Sequence, residues 1–451
     1  MRAILAFSLF IGLILWICRI YLTDDKRFRY VEYNKGEYYL LSRNMYFTIF
    51  TICTGPVFLS GISLLKYGLW FATILILIIG NKIRMKLETV MTLYLVFFFW
   101  LMLTMTWTTA PRDGWMMLIK YFIPLIFLWL GYSSLRNEKD LVVLLKVVNY
   151  TACVYCIFIG GQGWKLFPHI YHGPIGNQFS TYAGFACYEI SIFITPILLY
   201  WLTKEKKYVL CMFWLLLSAI LESVRTGLGG MMLVFVVATL LRSKAKALPS
   251  LIFVGTLFIG IILFVPGMNQ KFFGEDAGTV TGTDIVQGNA LSLENIEMSG
   301  RDYMWQRIKD NCYYGNEVFG GGLGTSGRFQ KNYGKATQGL EMMHNDYLQI
   351  ICDTGLVGIS LLTIFYIAFI IKVIAHVVLR KSTVLVKLTG IMALSSMVGV
   401  GFAMYFDNVV SNSMQALVMP FIYWGFFFKA LDMEGKDKRT LAILRFRKER
   451  T

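Results

Sequence analysis

Apolar blocks of about 18 to 23 residues recur along this chain, and they restrict its fold more than any other feature. Hydrocarbon offers no partner to a backbone N–H or C=O. A segment of that length in lipid must therefore close its own hydrogen bonds, as a helix does. Strands of a membrane barrel would alternate apolar and polar residues, and these blocks do not alternate. Apolar residues make up 56% of the 451 and charged residues 16%, against about a quarter in soluble proteins. The sequence thus predicts an all-α polytopic membrane protein with about 12 to 13 transmembrane helices. The predicted spans are 3–22, 45–63, 66–82, 88–107, 115–132, 141–160, 179–202, 208–223, 226–241, 248–266, 353–376, 384–406 and 413–430. No small-residue cleavage site follows 3–22, which is read as a retained signal-anchor.

The formal charge of +16 is distributed as a topology signal. Lys82, Arg84 and Lys86 share one link; Lys204, Lys206 and Lys207 another; Arg242, Lys244 and Lys246 a third; Arg380, Lys381 and Lys387 a fourth. The tail adds Lys436, Lys438, Arg439, Arg445, Arg447, Lys448 and Arg450. The positive-inside rule puts these on the cytoplasmic side, and the alternating segments near 108–114, 161–178, 222–226, 267–343 and 407–412 outside. Basic residues dispersed over short loops do not form the patch that nucleic acid requires, so no nucleic-acid partner is expected. Of the eight cysteines, Cys153 and Cys156 read as small packing residues of a span, while Cys312 and Cys352 flank the long external segment, where spacing alone does not show the geometry a disulfide needs.

Four regions follow from this layout: an N-terminal bundle of about ten helices over 1–266, an external loop over 267–352, C-terminal helices over 353–430, and a basic cytoplasmic tail over 431–451. A loop of that length without structure would be unusual in a compact protein. Its first part, Gly274 to Asn295, is rich in Gly, Thr and acids. Its second part opens at Ser299-Gly300-Arg301, and Tyr303, Met304, Arg307 and Ile308 fall at helical spacing, which predicts a short amphipathic helix. The turn-rich run Gly320 to Gly324 follows, and Asn345 or Asp346 is placed to cap the helix that enters the membrane near Gly355.

The candidates for chemistry cluster on the external side. His344 is one of four histidines, and an imidazole titrates close enough to neutral pH to serve as a general base; the alternative reading is a histidine satisfied by local hydrogen bonds at a helix start. Arg225 and Arg301 sit at external helix boundaries, where a planar guanidinium matches phosphate oxygens; Arg307 and Arg328 are weaker versions of the same idea. Alternative readings are a snorkelling interface arginine for Arg225 and a surface charge paired with Asp302 for Arg301. Asp407-Asn408 lies on the same side as His344, positioned to orient the imidazole or an acceptor sugar, and Asn345 and Tyr347 flank the histidine as substrate-binding candidates. Glu189 is a carboxylate within an apolar span, costly there unless paired. The Gly320–Gly324 run lacks the Lys-Ser/Thr of a phosphate-binding loop and reads as a plain turn. No metal site is expected: the histidines are scattered, and His169-x-x-His172 has no nearby carboxylate.

These elements together resemble the O-antigen ligase and polymerase family of bacterial membrane glycosyltransferases. The resemblance rests on His344-Asn345 followed after nine residues by Gly355 and then Gly358, on Ser299-Gly300-Arg301 with Trp305, on Ser223-Val224-Arg225-Thr226-Gly227, and on a large external loop before the last spans. It covers residues 220–360, with Val224 an extra residue against the usual pattern. It implies transfer of a glycan from an undecaprenyl-diphosphate carrier to a hydroxyl outside the cytoplasm, without metal or cofactor and with inversion. The implied acceptor is lipid A–core for a ligase or a second lipid-linked glycan for a polymerase, with the site at the outer face of the bacterial inner membrane. In that scheme Arg225 and Arg301 hold the diphosphate and His344 takes the hydroxyl proton. A transporter or flippase of lipid-linked glycan is the competing reading; it predicts two matching halves, which this chain lacks.

Overall fold

The computed structural model describes residues 85, 88–135, 138–163, 182–221, 224–265, 268–269, 301–337, 340–411 and 416–448. The predicted spans 3–22, 45–63 and 66–82, the Gly274–Asn295 stretch and the His169–His172 pair lie outside these residues. The chain is an all-α polytopic membrane protein, with no strand among the described residues. Its helices are α1 (Thr89–Thr104), α2 (Pro111–Ser134), α3 (Glu138–Gly163), α4 (Tyr182–Ile192), α5 (Ile194–Thr203), α6 (Lys207–Leu221), α7 (Arg225–Ser243), α8 (Leu248–Phe264), α9 (Arg301–Ile308), α10 (Thr325–Thr337), α11 (Asp346–Ile374), α12 (Val384–Phe406) and α13 (Val418–Lys448). Among the described residues, five segments are long and apolar enough to cross a membrane: Pro111–Ser134, Ala186–Thr203, Arg225–Ser243, Asp346–Leu379 and Val384–Phe406. Phe99, Leu210, Phe253 and Phe264 turn large apolar side chains outward, as lipid-facing positions do.

Small residues bring the helices together. A Cβ on Gly131 of α2 would run into the Ile422 carbonyl of α13, and one on Gly425 of α13 into the Leu128 carbonyl of α2. Without a hydrophobic drive between helices in lipid, such close backbone approach is a main source of packing energy. On α7, Gly229 faces Phe402 of α12 and Gly230 lies against Gly399, so these helices run antiparallel.

Three boundaries differ from the sequence expectation. The predicted span 179–202 is interrupted at Phe193. Pro196 has no N–H for the Ile192 carbonyl four residues back, and the Thr195 hydroxyl donates to that carbonyl instead at 2.8 Å. The span predicted from 353 begins at Asp346, because its first two turns pack within the loop rather than in lipid: Leu348 and Cys352 join Met304, Trp305, Ile308, Cys312 and Met343 in a separate buried cluster. The last helix continues through the basic tail to Lys448. Cys312 and Cys352 share the buried cluster as free thiols, and burial pushes the Cys312 thiol up to about 11.

The loop is seated by the sequence 316–326. Asp353 of α11 is fully buried, and its two carboxyl oxygens accept the N–H groups of Gly324 and Ser326, both at 2.8 Å. Gly321 and Gly322 donate to the Cys352 and Asp353 carbonyls. Gly321, Gly322 and Gly324 thus give their N–H groups to α11 while Gly320 donates to the Asn316 carbonyl, and the run behaves as the turn the sequence predicts. Trp107 and Thr108, just after α1, donate to the carbonyls of Gly320 and Leu323. Asp353→Asn leaves one acceptor oxygen where two N–H donors converge and sets an amide N–H against the other. We expect a loss of about 1–3 kcal/mol, read as a lower unfolding temperature in detergent and faster proteolysis between 301 and 345.

Candidate functional site

The turn after α12 gathers residues distant in sequence. Arg301, first residue of α9, donates from Nη1 to the Phe406 carbonyl at 2.6 Å. The main-chain N–H of His344 donates to Asn408 Oδ1 at 2.9 Å. His344 Nδ1 lies 3.3 Å from Asp407 Oδ1 and 3.1 Å from Asn408 Nδ2. Asp407 Oδ1 also accepts the Asn408 main-chain N–H at 2.8 Å. Just below, Asp346 Oδ2 accepts the Val410 N–H at 2.9 Å and ties the same turn to the start of α11.

His344 has φ 51°, in the left-handed region. A non-glycine residue held there costs on the order of 1–3 kcal/mol, and such strain collects at functional sites. The bond to Asn408 holds this conformation, and the imidazole keeps about a fifth of its surface open, at 22% exposure. Arg301 is half-buried beside a carboxylate. Burial draws its pKa down from the usual arginine value, and the charge of Asp407 opposes that shift. A guanidinium stays charged throughout.

Arg225 opens α7. Gly229, one turn on, faces Phe402, and Phe402 packs on Phe406 with tilted ring planes, 5.1 Å between centroids. The antiparallel packing thus sets Arg225 at the level of the last turn of α12, the end whose following turn Arg301 and His344 each contact.

The other expected site residues do structural work here. Asn345 is buried, and its Oδ1 caps α11 by accepting the Leu348 N–H at 2.9 Å. Arg307 lies over the Tyr333 ring at 3.3 Å and donates to Gln330 Oε1 at 2.9 Å, which stitches α9 to α10. Tyr347 donates its hydroxyl to the Gly401 carbonyl at 2.8 Å and so ties α11 to α12. Trp305 donates to the Met343 carbonyl at 2.8 Å, next to His344 in sequence. Glu189 lies buried on α4, with Cys156 Sγ 3.3 Å from its Oε1. Among the described residues no group of three His, Cys, Asp or Glu is arranged to hold a metal.

Residues 210–363 match the family model described as O-Antigen ligase. Over that stretch the chain is similar to an O-antigen ligase domain. No curated protein matches the chain. The O-antigen ligase match runs from α6 into α11 and includes Arg225, Arg301, His344 and both motif glycines. The turn 406–408 that Arg301 and His344 contact lies beyond it. The only sequence signal for that turn was an Asp-Asn pair at the end of an apolar span. Asp353 gave no signal, because one carboxylate in a polar helix start looks like any other.

Proposed function

We propose that this protein is a membrane glycosyltransferase that moves a glycan from an undecaprenyl-diphosphate carrier to an acceptor hydroxyl at the outer face of the bacterial inner membrane. One observation carries the reading: Arg301 and His344, 43 positions apart, are both held by the turn Phe406–Asn408. In the transfer, the bond from the anomeric carbon to the phosphate oxygen breaks and the bond to the acceptor oxygen forms. The diphosphate leaves with the electron pair, and the hydroxyl proton passes to the His344–Asp407 pair. Arg301 and Arg225 supply the positive charge that the departing diphosphate needs, a preorganised contribution of a few kcal/mol per donor, about the size found when one such donor is removed. Attack opposite the leaving group inverts the anomeric centre. The acceptor is lipid A–core in a ligase and a second lipid-linked glycan in a polymerase.

Purified full-length protein in liposomes, given undecaprenyl-diphosphate-linked glycan and acceptor with no ion gradient, is expected to form the joined product. Because the arginines provide the charge, chelation with EDTA is expected to leave the rate unchanged. Movement of the lipid-linked glycan across the bilayer without any product would overturn the reading in favour of a transporter. In cells, deletion separates the two enzyme types on a surface-glycan gel. Single repeats in place of long chains mean a polymerase, and unattached long chains mean a ligase.

A further inference from the structure

A ring nitrogen of histidine is a donor or an acceptor only by virtue of its partners. Nδ1 of His344 has two partners with opposite demands. Asp407 Oδ1, at 3.3 Å, accepts and favours a proton on Nδ1; Asn408 Nδ2, at 3.1 Å, donates and favours a bare lone pair. An amide's orientation is normally ambiguous, since its oxygen and nitrogen look alike. Here a third group removes the ambiguity. The main-chain N–H of His344 can only donate, and it lies 2.9 Å from one amide atom, which must be the oxygen. The amide nitrogen therefore faces the ring. The same nitrogen lies 3.6 Å from Met342 Sδ, a weak acceptor that suits its second hydrogen. Asp407 Oδ1 meanwhile already accepts the Asn408 main-chain N–H at 2.8 Å.

We propose that Asn408 is a positioning residue that keeps Nδ1 of His344 bare and its proton on Nε2, so that the imidazole meets substrate as an N–H donor to oxygen. This deepens the glycosyltransferase reading above and rests on it for the substrate, though not for the tautomer. It replaces the general-base role expected from sequence, which needs the proton on Nδ1 and the lone pair on Nε2. Within the pair, the Asp407 carboxylate is then the oxygen that receives the hydroxyl proton. The ionisable groups around the imidazole are Asp407 and Arg301 at the turn and Asp346 at the start of α11, with Lys120 of α2 facing Asp346.

The test has a structural and a catalytic arm. Full-length protein labelled with ¹⁵N-histidine, above the imidazole pKa, is expected to show His344 with a protonated Nε2 and a pyridine-type Nδ1. The signal is assigned among the four histidines by its absence in His344→Gln. Asn408→Asp keeps the acceptor for the main-chain N–H but puts a carboxylate oxygen where the donor was, and is expected to move the proton to Nδ1. A wild-type His344 protonated on Nδ1 overturns the proposal whether or not the protein is an enzyme.

In the liposome assay, His344→Gln retains an N–H donor and is expected to stay within about tenfold of wild type, whereas His344→Ala falls about 10²-fold or more. Equal loss in both variants supports a base and overturns the donor role. Asn408→Asp is expected to be slow at high pH and to recover as pH falls, because the imidazolium again carries a proton on Nε2. A merely structural role for Asn408 gives a loss that does not change with pH. Absence of any product with wild-type protein counts against the glycosyltransferase reading and leaves the nuclear-resonance arm to decide the tautomer.

Discussion

Replacing Arg301 by Ala is expected to lower turnover of the lipid-linked donor by about 10²–10³-fold, the range found when one preorganised donor to a developing anion is removed. The guanidinium is already fixed. Its Nη1 donates to the Phe406 carbonyl at 2.6 Å, and α9 begins at the residue itself. Among the described residues the guanidinium makes no other hydrogen bond, which leaves the rest of the planar fork to meet phosphate oxygens. The neighbouring Asp407 carboxylate stabilises the charge that burial alone would oppose. Arg301→Lys keeps a charge but loses the fork, since one ammonium cannot serve the Phe406 carbonyl and a phosphate with the same geometry; about a tenfold loss is expected. The measurement is turnover in liposomes, with an unchanged elution profile in detergent as the check on folding. If Arg301→Ala turned over at the wild-type rate, the diphosphate would not lie at this turn.

The difference between what was legible in the sequence and what was not follows from range. Apolar blocks are local, so α1, α2, α6, α7, α8 and α12 were predicted to within a few residues. Pattern alone also gave the amphipathic α9, since Met304 and Ile308 face the loop's own core while Arg301 sits at its head. The start of α11 was legible as the cap at Asn345 or Asp346, although the apolar-run criterion placed the span itself only from 353, because Asp346, Gln349 and Asp353 are polar. They are helical because a folded loop rather than lipid surrounds them. The stacking of Arg307 was not legible, whereas the cap expected at Asn345 or Asp346 is the one that Asn345 makes. An arginine that stacks on Tyr333 and one that binds phosphate have the same local sequence signature; only the fold says which ring or oxygen is within reach.

Gly355→Ala is expected to reduce turnover by at least about 10²-fold and to expose the segment 301–345 to protease. The first cause is conformational. Gly355 has φ 67° and ψ −170°, a region that is essentially glycine's alone, and it breaks α11 in place. The second is steric: a Cβ there would run into the Val318 carbonyl and lie 2.6 Å from the Gly320 nitrogen. The break is what seats the loop. It frees the N–H groups of Leu356 and Val357 to donate to the carbonyls of Glu317 at 2.7 Å and Val318 at 3.2 Å. Adding one methyl group therefore pushes residues 317–320 off α11 and takes with them the glycine turn that Asp353 holds. Arg301 and His344 lie on either side of that turn in sequence, so both shift relative to Asp407. A displacement of about 1 Å at reacting groups is enough for a 10²-fold loss. Gly358→Ala on the same helix tests crowding alone, since Gly358 keeps a helical backbone: its Cβ would lie 2.5 Å from the Thr354 Cβ, which no side-chain rotation moves, and a loss without the conformational part is expected there. Wild-type turnover and protection in Gly355→Ala would mean that the loop finds its seat without this break, and the spacing from His344 to Gly355 would then have no mechanical meaning.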